Sequence, residues 1–351
     1  MADLVEREGA RAQFLPTLVH PISPAQDARA LFALVRTMRR FRPQIVHTHM
    51  AKAGFLGRTA ALALRPRPII VHTYHGHVLE GYFGPGKTAA YRMLERSMAR
   101  LSDCLIGVSP ATVEDLVRLG VAPPERFRAV PLGLALQPFA AANSKMGREL
   151  RSEVGMGDEE VLLTFVGRVV PIKRVDRLLR SVSLARSQGA QVRLAIVGDG
   201  EIRPSLETLA RDLGIRKSVH FLGYRRDLPR ICAATDIAVI TSENEGTPVS
   251  LIEAAAAGCP AIATAVGGVG EVVTPDTGIL IPPGDERALA GTITQLAANP
   301  ELRWRLGERA RDRALGRYSI ERLITDIEVL YEELRRQPRV PSSEASSGAQ
   351  R

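Results

Sequence analysis

The stretch E-G-T-P-V-S-L-I-E-A-A-A-A-G-C-P (245–260) keeps two carboxylates, Glu245 and Glu253, in an otherwise apolar run. A carboxylate accepts hydrogen bonds through both oxygens and suits a vicinal diol such as that of a sugar. Pro248 suits a first helical turn, where its missing N–H goes unused. Gly258 suits the stop. The expected helix over 247–257 puts Glu245 at its mouth and Glu253 one to two turns in. The N–H groups at that mouth, with the positive end of the helix dipole, favour a diphosphate or hydroxyls. Alone, the pair has a plainer reading: Glu245 complements the dipole and Glu253 pairs with an arginine.

A second cluster, F-V-G-R-V-V-P-I-K-R (165–174), adds cations. A strand over 161–166 ends in Gly167, which permits close backbone approach. Arg168 and Lys173 follow in the loop and could clamp a diphosphate, or simply make surface ion pairs. Lys173 gains weight because lysine is scarce, occurring otherwise only at Lys52, Lys87, Lys145 and Lys217. A third segment, R-L-A-I-V-G-D-G-E (193–201), opens a strand into a turn at Gly198, a weak signal by itself. In F-L-G-Y-R-R-D-L (221–228), Tyr224 or Arg225 could meet a nucleobase.

V-H-T-Y-H-G-H (71–77) places His75 just past a strand end, beside Gly76. With His47, His49, His72 and His77 it raises the question of a metal. No cysteine or carboxylate ligand lies nearby, so no metal is expected, and histidines other than His75 read as core or strand-end residues. G-Y-F-G-P-G-K-T (81–88) fits the P-loop pattern. That loop requires a buried strand directly before its first glycine. Here H-V-L-E intervenes, so the segment reads as a loop and cap for a helix over 86–101.

The elements that must position these groups alternate. Strand-like runs at 45–49, 69–74, 104–108 and 127–130 are separated by amphipathic helices such as 28–41 and 86–101. A second series runs through 161–166, 192–197, 219–222, 237–241, 261–263 and 278–281, with a helix over 202–213 among them. Such alternation predicts parallel sheets with crossover helices. Two α/β domains facing a cleft are expected, over 1–136 and 159–318. Between them a polar linker with a lead-in helix covers 137–158, and a last helix covers 319–337. The tail over 338–351 reads as disordered. A strand-like run over 13–19 comes first, with no opening strand followed by a Gly-rich turn.

The chain has 351 residues, 45% of them hydrophobic, and a formal net charge of +9. No apolar run approaches the roughly 20 residues of a membrane span. The charged N-terminus lacks a signal-peptide core, and Cys104, Cys232 and Cys259 read as reduced core thiols. A cytoplasmic protein is expected. Arginines are dispersed and only 5% of residues are aromatic, which disfavours nucleic acid as a partner. The charge suits an anionic substrate, or peripheral contact with an anionic membrane at the inner face of the plasma membrane.

Taken together, these residues resemble the GT-B glycosyltransferases of family 4. The likeness covers nearly the whole chain, most strongly 161–283, and extends to the His-Gly and V-S-P segments over 71–110. It implies two Rossmann-like domains and a retaining transferase. The donor would be a nucleoside-diphosphate hexose or N-acetylhexosamine, UDP ahead of GDP, and the acceptor a cell-envelope lipid or polysaccharide. By the same resemblance Arg168 and Lys173, beside Gly167 and Gly198, would neutralise the leaving diphosphate. Glu245, with the backbone of Gly246 and Thr247, would hold the donor sugar, and Glu253 the ribose. His75 would touch the sugar near the reacting carbon, and the last helix would cross back to the first domain. No Asp-x-Asp occurs, so no metal-held diphosphate and no cofactor is implied. Relatives carry glycine where Arg174 stands. They also open with a strand, Gly-rich loop and helix not read here, so an incomplete first domain is expected. A non-catalytic nucleotide-sugar binder and a sugar-nucleotide epimerase of the same fold are the alternatives.

Overall fold

The structure, a computed structural model, describes residues 11–19, 22–75, 84–157 and 159–337. It divides into two compact units. One comprises the chain up to Val130 together with the residues from Asp326 onward; the other comprises Pro131–Thr325.

In the first unit β1 (Ile45–His49), β2 (Ile69–Tyr74), β3 (Cys104–Gly107) and β4 (Phe127–Ala129) pair in sequence order, all parallel. Helices Pro24–Phe41, Ala51–Leu62, Pro85–Leu101 and Pro110–Arg118 precede or connect them. β2 is buried along its whole length, as expected for a strand covered on both faces. The strand expected over 13–19 is absent. Pro16 has no N–H for a ladder, and the segment instead makes a turn, Leu18 N–H to the Leu15 carbonyl, with Phe14 exposed. Gly76, His77 and the P-loop-like residues 81–83 lie outside the described residues.

The second unit holds β5 (Val161–Val166), β6 (Val192–Val197), β7 (Val219–Gly223), β8 (Ile237–Ile240), β9 (Ala261–Thr264) and β10 (Gly278–Ile281). Their spatial order is β10-β9-β8-β5-β6-β7, all parallel. The winding reverses between β5 and β8. Open α/β sheets bind ligands outside the carboxyl ends of the strands at such a reversal. The main core packs Phe165, Leu178, Leu194, Val239, Ile252 and Ile262 among others around this sheet.

The segment expected as a linker is part of the second unit, whose boundary falls at Pro131 and not at 136. It forms helices Gln137–Ala140 and Ser144–Glu153, the latter capped by the Asn143 side chain. Leu150 and Val154, four residues apart on a polar helix, are fully buried against Leu162, Ala195 and Ile231. That spacing is one apolar stripe running from the expected lead-in helix to its C-cap. Helix Pro300–Tyr318 precedes helix Ile320–Arg336, whose residues from Asp326 count with the first unit. The tail over 338–351 lies outside the described residues.

Candidate active site

β5 and β8 are adjacent, so the loops leaving their carboxyl ends meet. After β5 the chain passes Gly167 and Arg168 and makes a 3-10 turn at Pro171–Lys173. After β8 it passes Thr241–Pro248 and enters helix Val249–Ala256. The two loops are stitched by backbone and side chain. The Glu243 N–H donates to the Ile172 carbonyl at 2.9 Å. The Thr241 hydroxyl lies 3.0 and 2.9 Å from the carbonyls of Lys173 and Arg174. Arg174 forks onto both oxygens of Asp176 at 3.1 Å and reaches Glu243 at 2.5 Å. Its backbone lies in the left-handed region, φ 48° and ψ 40°, where a side chain costs roughly 1–2 kcal/mol. That conformation fits a position where glycine was expected.

The stitching brings Lys173 Nζ to Glu245 Oε1 at 2.5 Å. The buried Ser242 hydroxyl donates to the same oxygen at 2.5 Å. Gly267 and Gly268 support the Glu245–Thr247 backbone from behind. The Gly268 N–H donates to the Glu245 carbonyl at 3.1 Å. A Cβ on Gly267 would fall 2.0 Å from that carbonyl oxygen, and one on Gly268 would fall 2.2 Å from the Gly246 oxygen. Helix Val249–Ala256 begins without a side-chain cap, and the Thr247 hydroxyl oxygen beside its start is buried and unpartnered. Free donors at a helix start are an anion or hydroxyl site. The carboxyl of Glu253, in this helix, makes no hydrogen bond or ion pair with any described residue, and burial pushes it up to about 6. A half-buried acid without a partner is unfavourable in the protein alone and is poised to accept hydroxyl donors from a ligand.

Gly198, at φ 129°, presses on the β5 loop: a Cβ there would lie 1.9 Å from the Gly167 oxygen. Gly200 does the same to the Val169 oxygen at 2.1 Å. The glycines of the G-D-G turn therefore shape the loop that carries Arg168. Arg168 is exposed and has no ion-pair partner among the described residues.

In the first unit, His75 follows β2 and is exposed. Its Nε2 lies 2.9 Å from His49 Nδ1. His49 stacks on His47 with ring centroids 4.4 Å apart. His47 is fixed by Thr73 and by Tyr331, each at 2.7 Å. Burial, with His49 and His75 adding, lowers His47 to about 4; burial lowers His49 and His75 as well. His72 is buried elsewhere, bonded to Thr48 at 2.9 Å and lowered by burial to about 2. The imidazoles are thus neutral at pH 7. Among the described residues no group of three or more His, Cys, Asp or Glu could hold a metal ion.

The family description Glycosyl transferases group 1 matches residues 147–313, and Glycosyl transferase 4-like domain matches residues 2–133. The D-inositol 3-phosphate glycosyltransferase of Xylanimonas cellulosilytica is 32% identical over 289 residues, 78% of this chain and 68% of that protein. The chain belongs to the group 1 glycosyl transferases. The UDP-Gal:alpha-D-GlcNAc-diphosphoundecaprenol alpha-1,3-galactosyltransferase of Escherichia coli is 28% identical over 329 residues, 92% of this chain and 84% of the relative. The crystal structure of Anabaena HepE in complex with UDP superposes with a TM-score of 0.80 at 21% identity, covering 94% of this chain and 88% of that one. Sucrose-phosphate synthase from Thermosynechococcus elongatus superposes with a TM-score of 0.74 at 25% identity, covering 93% and 83%. The fold is GT-B, and the protein is a glycosyltransferase.

In this glycosyltransferase Lys173, Glu245, Gly246, Thr247 and Glu253 gather along the two loops and the helix that follow β5 and β8. Gly167 and Arg168 lie on the same β5 loop. Two expectations for the 221–228 segment separate. Tyr224 is exposed and free of hydrogen bonds to described residues. Arg225 instead forks onto Asp227 at 2.8 and 2.7 Å and reaches Glu153 at 2.8 Å, so its guanidinium is committed within the protein and not held out for a base. Sequence reasoning missed Ser242, the Thr241–Glu243 stitching and the Gly267–Gly268 pair. The V-G-G-V-G run over 266–270 was the available signal for the last. Helix Val249–Ala256 starts two residues later than expected, with Pro248 as its cap.

Proposed function

We propose that this glycosyltransferase moves a hexose or N-acetylhexosamine from a UDP-sugar, with retention at the anomeric carbon, to a lipid-linked or saccharide acceptor of the cell envelope. The observation that carries the reading is the gathering of Lys173, Glu245 and the unpartnered Glu253 at the reversal of strand order. Glu253 takes the ribose hydroxyls. Arg168 and Lys173 take the diphosphate. Glu245, with the Gly246 and Thr247 backbone, takes the donor sugar, and His75 lies near the reacting carbon.

Departure of the diphosphate places negative charge on its oxygens while positive charge builds on the sugar. Cations fixed beforehand stabilise that charge more than the ground state. Two basic side chains supply this without a metal, so activity should survive chelation. A neutral His75 suits a carbon that is becoming cationic. UDP as the donor nucleotide is supported by the name of the Escherichia coli relative and by the UDP complex of the Anabaena protein. The acceptor class is supported by the diphosphoundecaprenol acceptor in the first name and by the capsular polysaccharide enzyme CapM of Staphylococcus aureus, 24% identical over 335 residues.

The test is turnover of UDP-glucose, UDP-galactose, UDP-N-acetylglucosamine and GDP-mannose by the purified protein in EDTA, with product configuration read by NMR. Lys173→Ala should lower turnover roughly a hundred- to thousandfold, and Glu253→Ala should do so chiefly through donor affinity. Wild-type turnover in both variants, or an inverted product, would overturn the reading.

A further inference from the structure

Helix Pro24–Phe41 buries Ala30 and packs on helix Ala51–Leu62. At 100° per residue its exposed positions Arg29, Phe32, Arg36, Arg39 and Arg40 fall within an arc of about 100°, spread over about 16 Å of axis. The helix has one acidic residue, Asp27. It lies off this arc and is held by Lys52 at 2.5 Å and the Ser23 N–H at 3.1 Å. The guanidinium groups of the four arginines make no ion pair or hydrogen bond with any described residue. Elsewhere in the chain arginines are commonly neutralised: Arg174, Arg193, Arg203, Arg225 and Arg230 each meet a carboxylate. Within the cationic arc Phe32 is 72% exposed, and at the helix end Phe41 is 79% exposed.

Four like charges without counter-charge repel one another, and a bare phenyl ring among them gains nothing from water. Both features are matched by one kind of surface. Anionic headgroups attract the arginines, and a ring projecting a few ångströms from the same face reaches the boundary of the acyl region. We propose that the exposed face of helix Pro24–Phe41 docks the protein on an anionic lipid bilayer, Arg29, Arg36, Arg39 and Arg40 binding headgroups and Phe32 inserting. This surface belongs to the first unit and does not depend on the donor-site reading.

The full chain is mixed with phosphatidylcholine vesicles with and without 30% phosphatidylglycerol, and bound protein is measured by flotation at about 0.1 M and 0.5 M salt. The wild type should bind the anionic vesicles only, with affinity falling at high salt. Arg29→Glu/Arg36→Glu/Arg39→Glu/Arg40→Glu should bind at least tenfold more weakly, with UDP affinity and circular dichroism unchanged. Should that variant not fold, Arg36→Gln/Arg40→Gln gives a smaller loss at the same readout. Phe32→Trp, made with Trp304→Phe, should show a blue-shifted emission with anionic vesicles. Equal binding by wild type and a folded arginine variant would overturn the proposal. So would binding indifferent to lipid charge, an unshifted emission from the Phe32→Trp protein, a wild-type dimer that the variants convert to monomer, or a variant that loses DNA binding alone.

Discussion

Glu245 Oε1 accepts from Lys173 Nζ at 2.5 Å, although 72 positions of sequence separate the two residues. In the proposed donor complex a phosphate oxygen and this carboxylate would compete for one ammonium. Glu245→Gln removes the competing charge and keeps the shape. It should bind UDP about two- to fivefold more tightly, a difference on the order of 0.5–1 kcal/mol, while transfer falls a hundredfold or more for lack of the sugar contact. Isothermal titration with UDP beside a transfer assay checks both halves; weaker UDP binding would remove Lys173 from the diphosphate site.

Glu253 gives a pH dependence with a definite sign. Burial raises its carboxyl from 4.5 to about 6, so between those values the folded state binds more protons than the unfolded. Stability therefore falls as pH rises through that window and stays lower above it. Glu253→Gln should melt a few degrees above wild type at pH 8, on the order of 1–2 kcal/mol, and alongside it at pH 4. On the proposed role of this carboxylate as acceptor, donor binding should weaken below pH 6 in the wild type and lose that dependence in the variant. Thermal melts and donor KM across pH 4–8 measure both.

Gly268 acts through the backbone of Gly246. An alanine there places Cβ 2.2 Å from the Gly246 oxygen, closer than real contacts allow. The β8 loop must shift, moving Glu245 and Thr247 by tenths of an ångström or more. Gly268→Ala should cost at least tenfold in turnover. Gly284→Ala, a left-handed glycine with space around it, should cost stability alone. Comparing kcat and Tm of the two variants separates the effects.

Arg174 combines an unfavourable backbone with favourable ion pairs. Arg174→Gly loses the Asp176 and Glu243 contacts but relieves the left-handed strain, so its stability should stay within about 1 kcal/mol of wild type. Arg174→Ala loses the contacts and keeps the strain, and should lie about 1 kcal/mol below the glycine variant. Denaturant melts of the pair decide; equal stabilities would mean the backbone conformation is of no consequence.

The His49–His75 bond predicts a positioning role. Both rings are neutral, so one donates and the other accepts, which fixes the tautomer and plane of His75. His49→Ala should reduce kcat about tenfold with little change in UDP affinity, and His49→Gln, which can replace either role, should recover most of it. His75→Ala should lose more than either. A His49→Ala enzyme with wild-type kcat would sever the link.

What the sequence determined by itself was local. The alternation of apolar strands with amphipathic helices follows from side-chain periodicity, and it placed all six strands of the second unit within a few residues. Gly167 and Gly258 marked loop and helix ends because glycine tolerates close approach and left-handed backbone that other residues resist, and Pro248 because its fixed φ and missing N–H suit only a helix start. The charge types of Lys173, Glu245 and Glu253 were legible for the same reason: identity is chemistry. Local pattern failed where another constraint prevailed. Residues 13–19 have the composition of a strand, but Pro16 has no N–H for a ladder and the segment turns instead.

Only the tertiary structure decided which groups meet. Parallel strands pair through crossovers, and no local signal states that β8 returns to lie beside β5 while β6 and β7 wind away on its other side. That reversal joins the Lys173 turn to the Glu245 loop. Tertiary packing also brings Glu153 to Arg225 and lets Gly268 rest on Gly246. These are contacts between segments tens of residues apart. They are selected by burial of the whole sheet against the entropy of closing long loops, a balance struck by the chain as a whole and written in no single stretch of it.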